Sequence, residues 1–183
     1  MMNVLGCVVA AKRHWPVLAA LGTVGCASDL NSTVQLNSVS GYQTATAFSP
    51  IGHSMSAIDE NRYRVTVVGS DSTPNERLEK IAHARAAEWG VEQKKKFFQA
   101  APANFTVRCG KGSYVRKGET VTAKKVDHRV AEVEVVYAAN ASDPSYRPSK
   151  DTSAALQGQL QTDVVPPDMQ ASLAQEVKAQ CGG

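Results

Sequence analysis

A chain of 183 residues with 43% hydrophobic and 20% charged content has the size and composition of one globular domain with unstructured flanks. Its formal charge of +3 includes Lys12 and Arg13, which sit in an acid-free N-terminal stretch; without them 18 bases face 17 acids, a net of +1. That balance excludes a compositional case for nucleic-acid binding, and no apolar run reaches the ~20 residues of a permanent transmembrane helix.

Residues 1–25 read as a cleavable export signal. Lys12-Arg13-His14 supply positive charge, and Trp15 to Val24 form a short apolar segment of signal-peptide length. Thr23-Val24-Gly25-Cys26 resembles the lipobox of bacterial lipoproteins, in which the cysteine thiol receives diacylglycerol before the signal is removed. Thr23 departs from that pattern, since Leu is usual there, although Leu21 is close by. The apolar MMNVLGCVVAA ahead of the basic triplet points to a translation start near Val8 or Val9. The alternative is an uncleaved N-terminal anchor or a signal cut elsewhere. Each buried acyl CH₂ contributes ~0.8 kcal/mol, so several chains on Cys26 would hold a domain at a membrane without a spanning helix. Ala27-Ser28 follow the cysteine; the absence of an Asp there favours the outer over the inner membrane. Residues 26–40, rich in Ser and Asn, read as a flexible tether.

Of four cysteines, Cys7 departs with the signal and Cys26 carries lipid, which leaves Cys109 and Cys181. In an oxidising compartment they are a candidate disulfide pinning the C-terminal tail to the domain. Two unpaired thiols, with Cys109 simply buried, is the alternative.

The domain is expected over residues 41–139. Tyr42 to Phe48 alternates in polarity and suggests a first strand, followed by a turn at Pro50-Ile51-Gly52 and a polar loop. Arg62 to Val68 predicts a half-buried strand, with Tyr63, Val65 and Val67 on the packed face. Thr73 is placed to cap a helix, Pro74 suits its first position and Glu76 completes a capping box. Leu78, Ile81, Ala82, Ala86 and Trp89 form the stripe that should lie on the sheet. Gly90 weakens this helix, but Glu92 to Lys96 can continue it. Strand material recurs at Phe97-Phe98 and Phe105 to Cys109, interrupted by Pro102. Past a glycine-bracketed loop or hairpin, Glu119 to Val126 and Arg129 to Tyr137 read as strands; in the latter, Ala131, Val133, Val135 and Tyr137 share a face.

Residues 140–183 read as a mostly disordered tail, with a short helix at 168–180 in which Met169, Leu173 and Val177 share a face. The fold class is therefore α+β: a small antiparallel or mixed sheet packed on one central helix, with a disordered N-terminal tether and C-terminal tail.

Asp59-Glu60-Asn61-Arg62-Tyr63-Arg64-Val65, then Glu76-Arg77, Arg85-Ala86-Ala87-Glu88 and Glu92-Gln93 resemble a family of small bacterial lipoproteins of unknown function. In that family a D-E-N-R-Y-R-V-like strand leads through a glycine turn into a helix bearing R-A-A-E, and a strand follows. The resemblance covers roughly residues 41–98 plus the lipobox, and it implies an envelope address without an activity.

Arg85 lies in the middle of the predicted apolar stripe, where an unpaired charge would cost several kcal/mol. It is expected either to reach an acid, Asp59 or Glu60, or else Glu132 or Glu134, or to pack its stem on Trp89 with the guanidinium in water. His53, His83 and His128 have no metal-site spacing, neither Cys109 nor Cys181 has a cysteine three residues away, and no metal or other cofactor is expected. Cys109 with His128 or His83 could be drawn as nucleophile and base, but nothing in the sequence supplies an oxyanion hole. Lys94-Lys95-Lys96, Arg116-Lys117 and Lys124-Lys125 read as solvated faces, with anionic lipid or acidic envelope polymer as the functional alternative.

The leading functional expectation is a membrane-anchored envelope lipoprotein acting as a non-enzymatic binding or structural module, with a protein or cell-wall partner. Two competitors stay open. One is a subunit of a larger envelope or secretion complex whose tail orders on assembly; the other is an exported Cys/His-dependent enzyme or metal-handling protein.

Overall fold

The computed structural model describes residues 39–47, 49–110, 112–123, 126–141 and 143–182, with the backbone alone for 112–116 and 120–123. The expected signal, Cys26, the tether as far as residue 38, and Lys124-Lys125 lie outside the described residues. In chain order the elements are β1 (Gly52–Ala57), β2 (Arg62–Ser70), α1 (Asn75–Glu92), β3 (Phe97–Ala100), β4 (Asn104–Arg108) and β5 (Gly112–Arg116). They continue with β6 (Glu119–Ala123), β7 (His128–Ala138), β8 (Arg147–Pro148), α2 (Ser149–Thr162) and α3 (Pro167–Gln180).

The expected α+β class is what the chain adopts: a six-stranded antiparallel sheet in the order β1-β2-β7-β3-β8, with β4 also on β7, and helices packed against it. β7 is long enough to pair β2 along one side and two short strands along the other. β3 takes Val135 to Ala138, and β4 takes His128 to Glu132. The break between them falls around Pro102, which has no N–H to give to the ladder, while Ala101 N–H still reaches the Glu134 carbonyl at 2.8 Å. β5 and β6 form a separate hairpin turning on Lys117 (φ 52°) and Gly118 (φ 84°), the left-handed pair that suits a two-residue hairpin turn.

Alternation along β2 and β7 sets the layers. Val65, Val67, Ala131, Val133, Val135 and Tyr137 are buried beneath Leu78, Ile81, Ala82 and Ala86 of α1, as their periodicity predicts. On the opposite face Arg64 and Glu134, directly opposed in the ladder, form an exposed ion pair at 2.8 Å. The Tyr137 hydroxyl crosses the core and donates to the Ala86 carbonyl at 2.6 Å.

Five expectations need correction. α1 stops at Glu92 and does not run on to Lys96, since Lys94 takes a left-handed φ of 57°. The strand expected at 42–48 is absent over its described residues, 42–47; Thr44 makes an isolated parallel bridge to His53, and the polar stretch behind it becomes β1. The cause is the turn at Asp59, whose Oδ1 accepts from Asn61 and Arg62 N–H while Ile58 N–H bonds to the Arg62 carbonyl, folding that stretch back on β2. The tether ends earlier than residue 40, because Val39 and Ser40 are buried. Ser40 N–H donates to Thr73 Oγ1 at 3.1 Å, and Ser40 Oγ accepts from Ser70 N–H at 2.8 Å. That cluster also holds the Thr73 hydroxyl, so α1 starts one residue later than expected, with Pro74 at the cap position and no side-chain cap.

The largest correction concerns the tail, which is not disordered from residue 140. The helix expected at 168–180 is present as α3, but an additional helix, α2, precedes it and packs on α1. Leu160 is buried in the main core, and Leu156 packs against that core. Arg77 donates to the Leu160 and Asp163 carbonyls at 3.1 and 3.2 Å, and Lys80 pairs with Asp163 at 2.7 Å. Gly90 makes the approach possible: a Cβ there would lie 2.4 Å from Ser149 Oγ. With α2 covering its outer side, α1 buries Ala84, Ala87 and Gly90 as well as the predicted stripe.

Candidate functional site: a cleft between the edge strand and the central helix

The last two turns of α1 diverge from the β1–β2 hairpin and leave a cleft of 600 Å³, walled by Met55 and Tyr63 on one side and Arg85, Trp89 and Glu92 on the other. Positions 85, 88, 89 and 92 follow the helical i, i+3, i+4, i+7 pattern, so their side chains share one face. Arg85 Nη1 donates to Glu88 Oε2 at 2.6 Å and to Glu92 Oε1 at 2.9 Å, and its guanidinium carbon stands 5.4 Å from the Trp89 ring centroid. Tyr63 packs on Trp89 at 5.8 Å between centroids and on Tyr137 at 5.6 Å.

Glu88 ties three segments together. Its Oε2 also accepts from the Tyr42 hydroxyl at 2.6 Å, and its Oε1 from Gln157 Nε2 of α2 at 3.4 Å. The Tyr42 ring rests 4.7 Å from that of His53 on β1. Burial favours the neutral acid of Glu88, but the hydrogen bonds from Tyr42 and Arg85 outweigh it and hold the carboxyl below the usual range. Burial, reinforced by the neighbouring carboxylate, pushes the Tyr42 hydroxyl well up. Burial and then the Arg85 charge push His53 down, toward the neutral imidazole. Arg85 loses solvation too, yet its bonds to Glu92 and Glu88 more than compensate and keep it charged. A carboxylate locked in its ionised form is poorly matched to proton transfer near neutral pH. It is well suited to fixing the orientation of a ligand.

Arg85 therefore meets acids, but not those anticipated. It pairs with Glu88 and Glu92 on its own helix, because the guanidinium lies along α1 over Trp89 rather than reaching across to the sheet. Asp59 is engaged by Arg62 within its own turn, Glu60 is exposed, and Glu134 belongs to Arg64 on the far face. The i+3 spacing of Glu88 from Arg85 was the available signal for the first of these pairs.

Cys109 and Cys181 are joined in a disulfide, with Cα atoms 5.5 Å apart, linking the end of β4 to the end of α3. Such a bond is consistent with an extracytoplasmic location. It also removes the thiolate that the Cys/His arrangement would need. Asp127 lies close to both sulfurs, but these are bonded to each other and Asp127 Oδ1 accepts from Gly110 N–H at 3.1 Å, so the trio has no thiolate for a metal. His53, His83 and His128 fall on β1, α1 and β7. His83 Nε2, His128 Nδ1 and Trp89 Nε1 are buried without hydrogen-bond partners among the described residues. Lys94 and Lys96 are exposed, and Lys95 donates to Asn61 Oδ1 at 2.9 Å, the arrangement of a solvated face.

No protein-family model, curated protein or solved structure matches the chain.

Proposed function

We propose that this protein is an envelope lipoprotein, anchored by acyl chains on Cys26, whose α+β domain is a binding module for a protein or cell-wall partner and not an enzyme. The observation that carries it is the Cys109–Cys181 disulfide, since such bonds form and persist where the surroundings are oxidising. Among the described residues no helix is long and apolar enough to cross a membrane, and lipid is the attachment proposed, with the outer membrane favoured. The likeness to small bacterial lipoproteins fits this reading: R-A-A-E supplies Arg85 and Glu88, which meet at the wall of the cleft. Ionised groups already satisfied by one another, set beside Trp89 and Tyr63, support recognition over catalysis.

Mass spectrometry of the mature protein from membrane fractions tests the anchor. The expected product begins at Cys26 and carries diacylglycerol, and Cys26→Ala should leave the membrane fraction or retain its signal. A mature chain beginning elsewhere, with an unmodified thiol at position 26, would overturn the anchor. For the cleft, Glu88→Ala should abolish partner cross-linking in cells; unchanged cross-linking would remove the cleft as the binding site.

A further inference from the structure

The ladder between β1 and β2 decides which backbone groups of β1 face outward. Ile58 N–H bonds to the Arg62 carbonyl, and the alternation behind it turns Ser56 and Ser54 toward β2 and Ala57, Met55 and His53 toward the open edge. At His53 that edge is already used. His53 N–H donates to the Gln43 carbonyl at 2.8 Å and Ala45 N–H donates to the His53 carbonyl at 2.9 Å, so residues 43–45 occupy the edge there through an isolated parallel bridge. The segment then leaves the edge, as Thr46 N–H turns back to the Ser49 carbonyl at 2.9 Å. Beyond it the outward backbone groups of Met55 and Ala57 have no partner among the described residues. Side chains alternate as the backbone does, so His53, Met55 and Ala57 share one face of β1, and all three line the cleft against α1.

Charge says what would fit. Among the described residues that line the cleft, one cation, Arg85, stands against two carboxylates, Glu88 and Glu92, and the Glu92 side chain is 44% exposed. Resting on the reading of the cleft as the binding site, we propose that β1 accepts an extended segment of another protein as an added strand. The segment continues the edge that residues 43–45 begin, and directs a lysine or arginine side chain to Glu92. Main-chain bonds to Met55 and Ala57 supply affinity; the cation and the pocket between Met55, Tyr63 and Trp89 select the side chains.

The probe is a synthetic eight-residue peptide alternating Lys and Val, with a Glu/Val peptide as control, titrated into the purified mature protein and followed by Trp fluorescence and amide hydrogen exchange. The Lys/Val peptide should bind and slow exchange at Met55 and Ala57, while the Glu/Val peptide should not. Met55→Pro removes an outward N–H, which an edge strand tolerates, and should weaken binding by roughly tenfold. Ala57→Pro is the second variant should the first fail to fold, and Glu92→Gln should weaken binding severalfold with a smaller salt dependence. Equal binding of both peptides, or binding indifferent to both proline variants, overturns the proposal. A concentration-dependent dimer that Met55→Pro abolishes would assign the edge to a second copy and overturn it as well. Binding that responds to Glu88→Ala but leaves Met55 and Ala57 exchanging freely would keep the cleft and reject strand addition. Binding indifferent to both sets of changes would reject the two together.

Discussion

Reduction of the Cys109–Cys181 bond should free α3 while leaving the sheet folded. Beyond the disulfide, the described residues give the helix one fully buried side chain, Val177, and the contacts of Arg129 with Glu176 at 2.7 Å and with the Leu173 carbonyl at 3.2 Å. Burial of a valine contributes about 1.5–3 kcal/mol. The pair with Glu176, whose side chain is 55% exposed, adds no more than about 1 kcal/mol. A helix of 14 residues is marginal in water by itself, so these contacts barely offset the ordering of its backbone. Closing a loop with a sequence separation of 72 contributes about 4 kcal/mol in the chain-entropy model, the largest single term holding this end of the molecule. Hydrogen exchange with and without a phosphine reductant reads the outcome. Peptides from residues 167–182 should exchange like free chain after reduction, whereas α1 and β7 stay protected, and the unfolding free energy should fall by up to about 4 kcal/mol. Protection of α3 equal to that of α1 after reduction would refute this reasoning, because non-covalent packing would then suffice.

Gly90→Ala should destabilise by about 1–3 kcal/mol in urea unfolding despite the better helix propensity of alanine, because the new Cβ meets Ser149 where α2 begins; an Ala variant more stable than the parent would show that α2 shifts freely. Tyr137→Phe removes the hydroxyl bonded to the Ala86 carbonyl and should cost about 1 kcal/mol by the same assay. His53 and His83 are both pushed below their ordinary range, chiefly by burial, so the unfolded chain binds more protons than the folded one below pH 6.5. Stability should therefore decline as the pH falls from 6.5 toward their depressed folded values, and a His53→Asn/His83→Gln variant should flatten that slope. An unchanged slope would mean these rings do not titrate differently in the two states.

The strongly periodic parts of the fold were legible in the residues. Tyr63, Val65 and Val67, and Ala131 through Tyr137, alternate because each strand has one wet face, and that pattern survives any arrangement of neighbours. The stripe from Leu78 to Trp89 was visible for the same reason. β1 was not, since an edge strand of Gly, Ser and His takes its conformation from the partner it pairs with, and its own composition resembles a loop.

Sequence alone determined the α+β class, the faces of β2, β7 and α1, and the chemistry that makes Cys109 and Cys181 a candidate pair, because period, charge and thiol count are properties of the chain. Tertiary structure decided the rest. It folded the polar stretch at 149–162 into α2, since the outer face of α1 offers burial to Leu156 and Leu160 that no local pattern announces. It also turned Arg85 along its helix toward Glu88 and Glu92, because a charge denied water takes the nearest carboxylate that geometry allows, and only the packed hairpin fixes which one that is.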